Sequence, residues 1–162
     1  MLKIKNILFE EKREKKYAAG IIFFSKKTKK FLLLLRSSKL TQGNTWSSVG
    51  GKLENNENAR DAAKREAEEE IGFDGQVNLK LLYVLKRNFI DYKTKKPTIF
   101  KYYTFIGYVN DEFKPNFNSS HGWENTDYKW LTFKELSELS NKHPGLIQTL
   151  KNTEEKLYKI SH

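Results

Sequence analysis

Apolar residues near the start of the chain are gathered into two short, uninterrupted runs. Residues 17–24 and 31–36 each have the composition of a β-strand, and the polar segment 25–30 between them has that of a turn. A strand with one face in water would alternate apolar and polar side chains, which neither run does. We therefore predict two strands that are buried on both faces.

A second pair of strands is predicted further along the chain. Residues 81–90 and 99–109 are rich in β-forming side chains and flank a polar connection over residues 91–98. Two such runs joined by a short polar connection predict an antiparallel hairpin. Residues 127–131 predict one more short strand, after an irregular segment over residues 110–126.

Helix signals follow the last predicted strand. Thr132 and Glu135 have the spacing of a capping box, in which each side chain satisfies a backbone N–H group of the first turn. Pro144 suits the first turn of a final helix that runs towards Leu157. Together with the strands, these helices predict an α/β fold in which a central mixed β-sheet carries helices on its faces.

A glutamate-rich segment in the middle of the chain predicts another helix. Asn58 suits its N-cap, Asp61 suits the positive end of its dipole, and Gly72 suits its C-terminal cap. Residues 59–71 contain neither glycine nor proline and are mostly strong helix formers. The signals at the two ends therefore agree on one helix.

Three carboxylates of this helix are predicted to share a crevice. At about 100° per residue, Glu66, Glu69 and Glu70 project in neighbouring directions, and small alanine side chains on the same side let the helix approach its neighbour. Carboxylates so placed repel one another unless a cation lies among them, and Mg²⁺ prefers such oxygen ligands. An isolated E-x-x-E-E pattern is more often a solvated face, as we expect for Glu68 on the opposite side.

Length and composition narrow the classes of protein. With 162 residues, of which 38% are hydrophobic, the chain has room for one domain over residues 1–162, with residues 1–16 as an N-terminal extension or an edge strand. The absence of cysteine excludes disulfides and cysteine nucleophiles, and it fits a cytoplasmic location. No apolar stretch suits a signal peptide or a membrane span, so no membrane contact is expected.

Charge is unevenly distributed along the chain. The formal net charge is +10, whereas residues 51–73 hold seven acidic and four basic side chains. An acidic island in a basic protein suits a metal-dependent enzyme, because the surrounding positive field attracts a polyanionic substrate. A generally lysine-rich composition explains the net charge equally well, so charge alone does not decide the function.

The spacing of seven residues carries a family resemblance. They follow the pattern G-x5-E-x7-R-E-x-x-E-E-x-G and are Gly51, Glu57, Arg65, Glu66, Glu69, Glu70 and Gly72. The segment 51–73 that contains them resembles the Nudix box of a hydrolase family that cleaves nucleoside diphosphates linked to another group. The resemblance implies a Nudix-type α/β/α sandwich and a metal-dependent pyrophosphohydrolase. Val49 and Ala67 depart from the residues that are common at their positions, and both changes affect packing rather than catalysis.

The resemblance also implies roles for single residues. Glu69 and Glu70 would bind Mg²⁺, or Mn²⁺ in its place. Glu66 would be a further ligand or the base that activates water. A backbone carbonyl of Gly50 or Gly51 would complete the metal shell, where no side chain is required.

The remaining box residues would have structural roles. Arg65 and Glu57 would brace the turn between the loop and the helix through an ion pair. Gly51 and Gly72 would be the structural glycines at the two ends of the box.

Relatives often supply another glutamate from the loop before a late strand that contains tryptophan. Glu124 stands six residues before Trp130 and is the candidate for that role. Asp127 and, less favoured, His121 are its rivals. The histidines of the chain show no metal-ligand spacing, so we expect them to be structural or surface residues.

Candidates for substrate contacts lie outside the box. Arg36, at the end of the second predicted strand, could stabilise the leaving phosphate, or it could simply be a solubilising charge. Tyr92 lies near the position of a tyrosine in dinucleoside polyphosphate hydrolases, but out of register by a residue or two. Aromatic side chains that could stack on a base, or pack in the core instead, are Phe24, Tyr83, Phe89 and Tyr103.

These residues support Mg²⁺-dependent hydrolysis of a phosphoanhydride bond in a nucleoside di- or triphosphate derivative. Water deprotonated by Glu66 or Glu124 would attack phosphorus in line. The substrate could instead be the 5′ end of RNA or a dinucleoside polyphosphate. Outside the enzymes, the alternative is a basic module that binds nucleotides or nucleic acid without hydrolysis. Family members are often dimers, so a homodimer stays open.

Overall fold

The computed structural model describes residues 13–162. Residues 1–12, and with them most of the predicted N-terminal extension, lie outside the described part. In chain order the elements are β1 (Glu14–Ser25), β2 (Lys30–Arg36), β3 (Trp46–Ser47), β4 (Val49–Lys52), α1 (Ala59–Ile71), β5 (Asn78–Ile90), β6 (Pro97–Val109), a 3₁₀ turn (Gly122–Glu124), β7 (Asn125–Leu131), α2 (Phe133–Glu138) and α3 (Pro144–Ser161). Every strand and helix expected from the sequence is present, and β3 and β4 are additional short strands.

Strand β1 organises a mixed seven-stranded sheet. On one side it pairs in parallel with β6 along its whole length. On the other side it pairs antiparallel with β4 through residues 18–21, and then with β2 through Phe24 and Ser25. β3 and β7 pair with β2, and β5 pairs with β6, all antiparallel. The β5–β6 pair confirms the predicted hairpin.

Helices cover both faces of the sheet. The alanines of α1 pack on one face, in a core that includes Ile21 and Phe23. Helices α2 and α3 cover the other face, in a core that includes Ile22 and Phe24. Successive residues of β1 therefore lie in different cores, which explains why the run does not alternate. The predicted α/β/α sandwich with a central mixed sheet is confirmed.

Helices α1 and α2 begin as predicted. The side chain of Asn58 accepts the N–H of Asp61 at 2.8 Å, and α1 ends at Gly72, whose φ of 64° lies in the left-handed region that favours glycine. The capping box of α2 is complete, because Thr132 accepts the N–H of Glu135 and the Glu135 carboxylate accepts the N–H of Thr132.

Helix α3 begins at Pro144, as predicted, but its cap is a histidine. The ring of His143 accepts the N–H of Gly145 at 3.0 Å, which satisfies one of the free N–H groups of the first turn. No helix among the described residues combines the length and the apolar composition that crossing a membrane requires.

Asp91 holds the turn of the β5–β6 hairpin and joins it to β1. Its Oδ2 accepts a hydrogen bond from Lys16 Nζ at 2.6 Å, and its Oδ1 accepts the N–H groups of Lys93 and Thr94 at 2.8 and 3.1 Å. These bonds, that from Lys16 above all, lower the pKa of Asp91 to about 2. The carboxylate is thus held in its charged form.

Candidate active site

Arg65 joins the loop after β4 to helix α1. Its Nε and Nη2 donate to the two carboxylate oxygens of Glu57 at 2.8 and 3.0 Å, and Nη2 also donates to the carbonyl of Lys52 at 2.9 Å. This two-pronged geometry suits a guanidinium and a carboxylate. The hydrogen bond from Arg65 lowers the pKa of Glu57. The pair braces the turn, at the two positions that the box implies.

The same guanidinium also holds two of the candidate metal ligands. Arg65 Nη1 donates to Glu66 Oε1 and to Glu69 Oε2, each at 3.0 Å. Since both partners carry a negative charge, Arg65 offsets part of the repulsion that the sequence implied. The position of the guanidinium between the carboxylates was not predicted.

Glu70 is the most deeply buried carboxylate of α1, with 5% of its surface exposed. Its Oε2 accepts the backbone N–H of Gly50 at 2.8 Å, and its Oε1 accepts a longer bond of 3.4 Å from Asn125 Nδ2. Burial raises the pKa of Glu70 well above its usual value, and the negative charges of Glu66 and Glu124 raise it further. The two hydrogen bonds therefore stabilise the charged form of Glu70 less than burial destabilises it.

Glu66 lies beside Gly51, one turn of helix before Glu70. Only 8% of its surface is exposed, and burial raises the pKa of its carboxyl group in spite of the positive charge of Arg65. A Cβ atom at Gly51 would collide with the carboxylate carbon and both oxygens of Glu66. The glycine therefore provides the space in which this carboxylate lies.

The turn over residues 122–124 brings further groups to α1. Ahead of it, the backbone N–H of His121 donates to the carbonyl of Glu69 at 2.8 Å, and its ring Nδ1 lies 3.1 Å from Glu69 Oε2. The negative charge of Glu124 raises the pKa values of both Glu66 and Glu70, after burial. The loop that was expected to supply a glutamate thus lies beside the carboxylates of α1.

The two rivals of Glu124 differ in their surroundings. Asp127 is exposed on β7, and its Oδ1 accepts the N–H of the next residue, Tyr128, at 2.7 Å. His121, the less favoured rival, touches Glu69 directly. His121 is exposed, as expected of a surface histidine, and the folding of its loop over α1 also places it against a candidate metal ligand.

The donor set suits a divalent cation. Among residues 13–162, no three Asp, Glu or His side chains converge on one point as a finished metal site, because Arg65 engages Glu66 and Glu69. The buried carboxylates of Glu66 and Glu70 nevertheless have raised pKa values, so nearby positive charge would be favourable. All the candidate donors are oxygens, as Mg²⁺ requires. The residues present therefore fit this ion.

Arg36 is the last residue of strand β2. Its Nη2 donates to the carbonyl of Thr41 at 2.9 Å, whereas its buried Nε has no hydrogen-bond partner. Its positive charge acts on the hydroxyl of Tyr102, as do the negative charges of Glu66 and Glu70. The hydroxyl of Tyr102 is therefore near enough to Arg36 and to both carboxylates to be influenced by their charges.

The aromatic candidates for base stacking have different fates. Phe24 is only 2% exposed and packs against Phe31 with ring centroids 4.9 Å apart, so of the two alternatives it is a core residue and not a stacking platform. Tyr83 and Tyr103 are half-buried at the cores, and Phe89 is 42% exposed. The sequence did not single out Trp123, which is 56% exposed beside Glu124.

Comparison with known proteins agrees with this geometry. A family model described as the NUDIX domain matches residues 14–152. A search of curated proteins found no significant match. The match to the family model includes the whole box, the turn with Glu124 and the strands that support them.

Solved structures share the fold at low sequence identity. The MutT protein from Methanosarcina mazei Go1 is 21% identical, with 89% of this chain and 96% of that chain covered and a TM-score of 0.66. A Nudix hydrolase from M. smegmatis is 21% identical, with coverages of 92% and 88% and a TM-score of 0.67. A C. elegans Ap4A hydrolase is 19% identical, with coverages of 89% and 98% and a TM-score of 0.58.

The box therefore stands in its expected setting of strand, loop and helix. Its glutamates and arginine are in contact, and the fold around them is that of solved Nudix hydrolases. The match of the family model spans most of the chain. The chain belongs to the NUDIX family and is a pyrophosphohydrolase of the Nudix type.

Proposed function

We propose that the protein hydrolyses a phosphoanhydride bond in a nucleoside di- or triphosphate derivative with the help of Mg²⁺. The observation that carries the proposal is the pair of carboxylates of Glu66 and Glu70, which lie on one face of α1 at 8% and 5% exposure. Burial raises the pKa of both. A buried carboxyl group in a folded protein either takes up a proton or is compensated by a cation.

The box supplies the candidate ligands. Glu66, Glu69, Glu70 and the backbone carbonyl of Gly50 would hold the cation, and Glu124 would assist from the neighbouring turn. Mn²⁺ accepts the same oxygen ligands and is expected to substitute. When bound, the ion supplies positive charge to the phosphate oxygens and makes a nearby water more acidic.

Two glutamates are candidates for the general base. The raised pKa of Glu66 makes its carboxylate a better proton acceptor than an ordinary glutamate. The 3.0 Å hydrogen bond from Arg65 fixes the direction in which this carboxylate points. Glu124 is the alternative base, and Arg36 would stabilise the negative charge on the leaving phosphate.

The nucleotide nature of the substrate rests on the family and on the surface of the protein. By its name, one of the similar structures acts on Ap4A, a dinucleoside polyphosphate. We propose that the substrate of this protein is likewise a nucleotide derivative. The exposed indole of Trp123 offers a face on which a base could stack. The net charge of +10 suits a polyanion, including the 5′ end of RNA. A homodimer and a cytoplasmic location are also part of the proposal.

A screen that identifies the hydrolysis products by chromatography tests the proposed function. The panel would contain nucleoside triphosphates, nucleotide sugars, dinucleoside polyphosphates and triphosphorylated RNA, each with Mg²⁺, with Mn²⁺ and with a chelator. We expect hydrolysis of at least one nucleotide derivative with either metal, and none with the chelator. Metal-independent hydrolysis, or no hydrolysis of any nucleotide, would contradict the proposal. A salt-sensitive preference for the RNA would select the 5′-end alternative.

A further inference from the structure

Tyr102, in the middle of β6, lies over a pair of glycines at the edge of the site. Gly20 on β1 and Gly50 on β4 are opposite each other in the antiparallel pairing of these strands. A Cβ atom at either position would collide with the Tyr102 hydroxyl oxygen. The hydroxyl can therefore reach this place only because both positions lack a side chain.

The same glycine pair connects the hydroxyl to the carboxylates. The backbone N–H of Gly50 donates to Glu70 Oε2 at 2.8 Å, so Glu70 and the hydroxyl of Tyr102 meet at one residue of β4. Burial raises the pKa of the Tyr102 hydroxyl, and the neighbouring side chain of Ser48 lowers it only in part. The hydroxyl therefore keeps its proton, which a phosphate oxygen can accept.

Basic side chains border Tyr102 on the face of the sheet opposite α1. Tyr102 is paired with Leu85, and Phe100 is paired with Arg87, in the register of β5 and β6. Side chains two residues apart on a strand point to the same face, so Arg87 projects beside Tyr102, and it is exposed. The positive charge of Arg87 therefore lies beside Tyr102 on this face.

His143 is joined through Trp46 to the end of β2, where Arg36 lies. The backbone N–H of His143 donates to the carbonyl of Trp46 at 2.9 Å, and Trp46 is paired with Leu35, the neighbour of Arg36. Burial lowers the pKa of His143, and the positive charges of Arg36 and Arg87 lower it further. The charges of Arg36 and Arg87 thus both act on His143, and the buried Nε of Arg36 has no hydrogen-bond partner.

We propose that Tyr102 is a substrate-contacting residue, whose hydroxyl donates a hydrogen bond to a phosphate oxygen of the substrate while Arg36 and Arg87 hold the same phosphate chain. The inference rests on the proposed function, because the substrate is taken to be a phosphoanhydride, and it deepens that function by naming the residues that hold the chain. In this arrangement the carboxylates of α1 lie at the reacting end of the chain, and the cations of β2 and β5 lie at the other.

The test compares Tyr102→Phe with Tyr108→Phe. Both variants remove one phenolic hydroxyl from β6, and both side chains point to the same face of the sheet, but Tyr108 packs on Phe24 in the core. One readout is the binding of inorganic tripolyphosphate at low salt with a chelator, measured by calorimetry. The other is kcat and KM for the best nucleotide of the screen, with the melting temperature as a control of folding.

We expect Tyr102→Phe to weaken tripolyphosphate binding and to raise KM, each by about tenfold, because a hydrogen bond to a charged group is lost. Its melting temperature should stay close to that of the wild type, and Tyr108→Phe should bind as the wild type does. Arg36→Gln should also weaken binding. The double variant Tyr102→Phe, Arg36→Gln should lose less affinity for tripolyphosphate than the product of the two single fold-losses. The two effects would not be independent, because both residues would hold one phosphate group.

The outcomes separate this inference from the proposed function. Unchanged tripolyphosphate binding in Tyr102→Phe, or no binding by the wild type, overturns the inference even if nucleotides are hydrolysed. A weakening that Tyr108→Phe shares equally also overturns it. If the wild type hydrolyses no nucleotide while Tyr102→Phe alone weakens tripolyphosphate binding, the anion contact stands and the proposed function fails.

Discussion

The backbone N–H of Gly50 donates a hydrogen bond of 2.8 Å to the carboxylate of Glu70. The bond joins β4 to α1 and orients a carboxylate that is almost completely buried. It lowers the pKa of Glu70, but the effect of burial is larger and the pKa remains well above its usual value. The protein thus places a carboxyl group whose charged form is costly for folding where a cation would be useful.

Removal of that charge should separate stability from activity. We expect Glu70→Gln to reduce turnover on the order of a hundredfold or more, because a candidate metal ligand is lost. The melting temperature should stay the same or rise, since a partly compensated buried charge is removed. Glu68→Gln is the matched control, because Glu68 is exposed on the same helix. Full turnover by Glu70→Gln would exclude its role.

Two adjacent glycines should respond differently to alanine. In Gly51→Ala the three nearest atoms to the new Cβ all belong to the flexible carboxylate of Glu66, so we expect a large loss of turnover with little loss of stability. In Gly50→Ala the new Cβ instead meets the hydroxyl of Tyr102 and two backbone atoms, the carbonyl oxygen of Ala19 at 2.6 Å and the Cα of Gly20 at 2.7 Å. We expect this second variant to lose about 1–3 kcal/mol of folding free energy. Chemical denaturation with parallel activity assays distinguishes the two; equal destabilisation would contradict this account.

Mg²⁺ should stabilise the folded protein. An ion that binds only the folded state at a hundred times its Kd raises the free energy of unfolding by about 2.7 kcal/mol. We therefore expect Mg²⁺ to raise the melting temperature of the wild type and of Glu68→Gln, and to have a much smaller effect on Glu66→Gln. Sodium chloride at equal ionic strength is the control for screening. A wild-type melting temperature that does not respond to Mg²⁺ would argue against the site.

The ion pair of Asp91 and Lys16 should make stability depend on pH in the acid range. The pKa of Asp91 is lowered from 3.8 to about 2 in the folded protein, so its contribution is present above about pH 4 and is lost as the pH falls through 2. Asp91→Asn should therefore have a lower melting temperature than the wild type at pH 7, and the difference should shrink towards pH 2. Asp111→Asn, which removes a more exposed pair with Lys27, should show a smaller difference at pH 7.

Local signals explain why α1 could be predicted closely. Its cap residues lie within five positions of the groups that they satisfy, so Asn58 and Gly72 mark its ends in the sequence. The spacing of the box likewise predicts the contact between Arg65 and Glu57, because the turn between β4 and α1 is short. These contacts need no knowledge of the sheet.

Contacts that depend on the sheet could not be predicted. Asn125 reaches Glu70 across 55 positions of the sequence, and Tyr102 meets Gly20 and Gly50 only through the pairing of three strands. Nothing near these residues in the sequence marks them. The same limit applies to Phe24, because a phenylalanine in a β-strand can face a core or a ligand, and only the packing of α2 and α3 decides between them.

A main-chain hydrogen bond connects the two ends of the site. The N–H of Ser37, directly after Arg36, donates to the carbonyl of Glu124 at 2.8 Å. The bond holds the end of β2 and the turn that carries Glu124 at a fixed separation. A phosphate chain that contacts Arg36 at one end and the carboxylates of α1 at the other would have to match that separation.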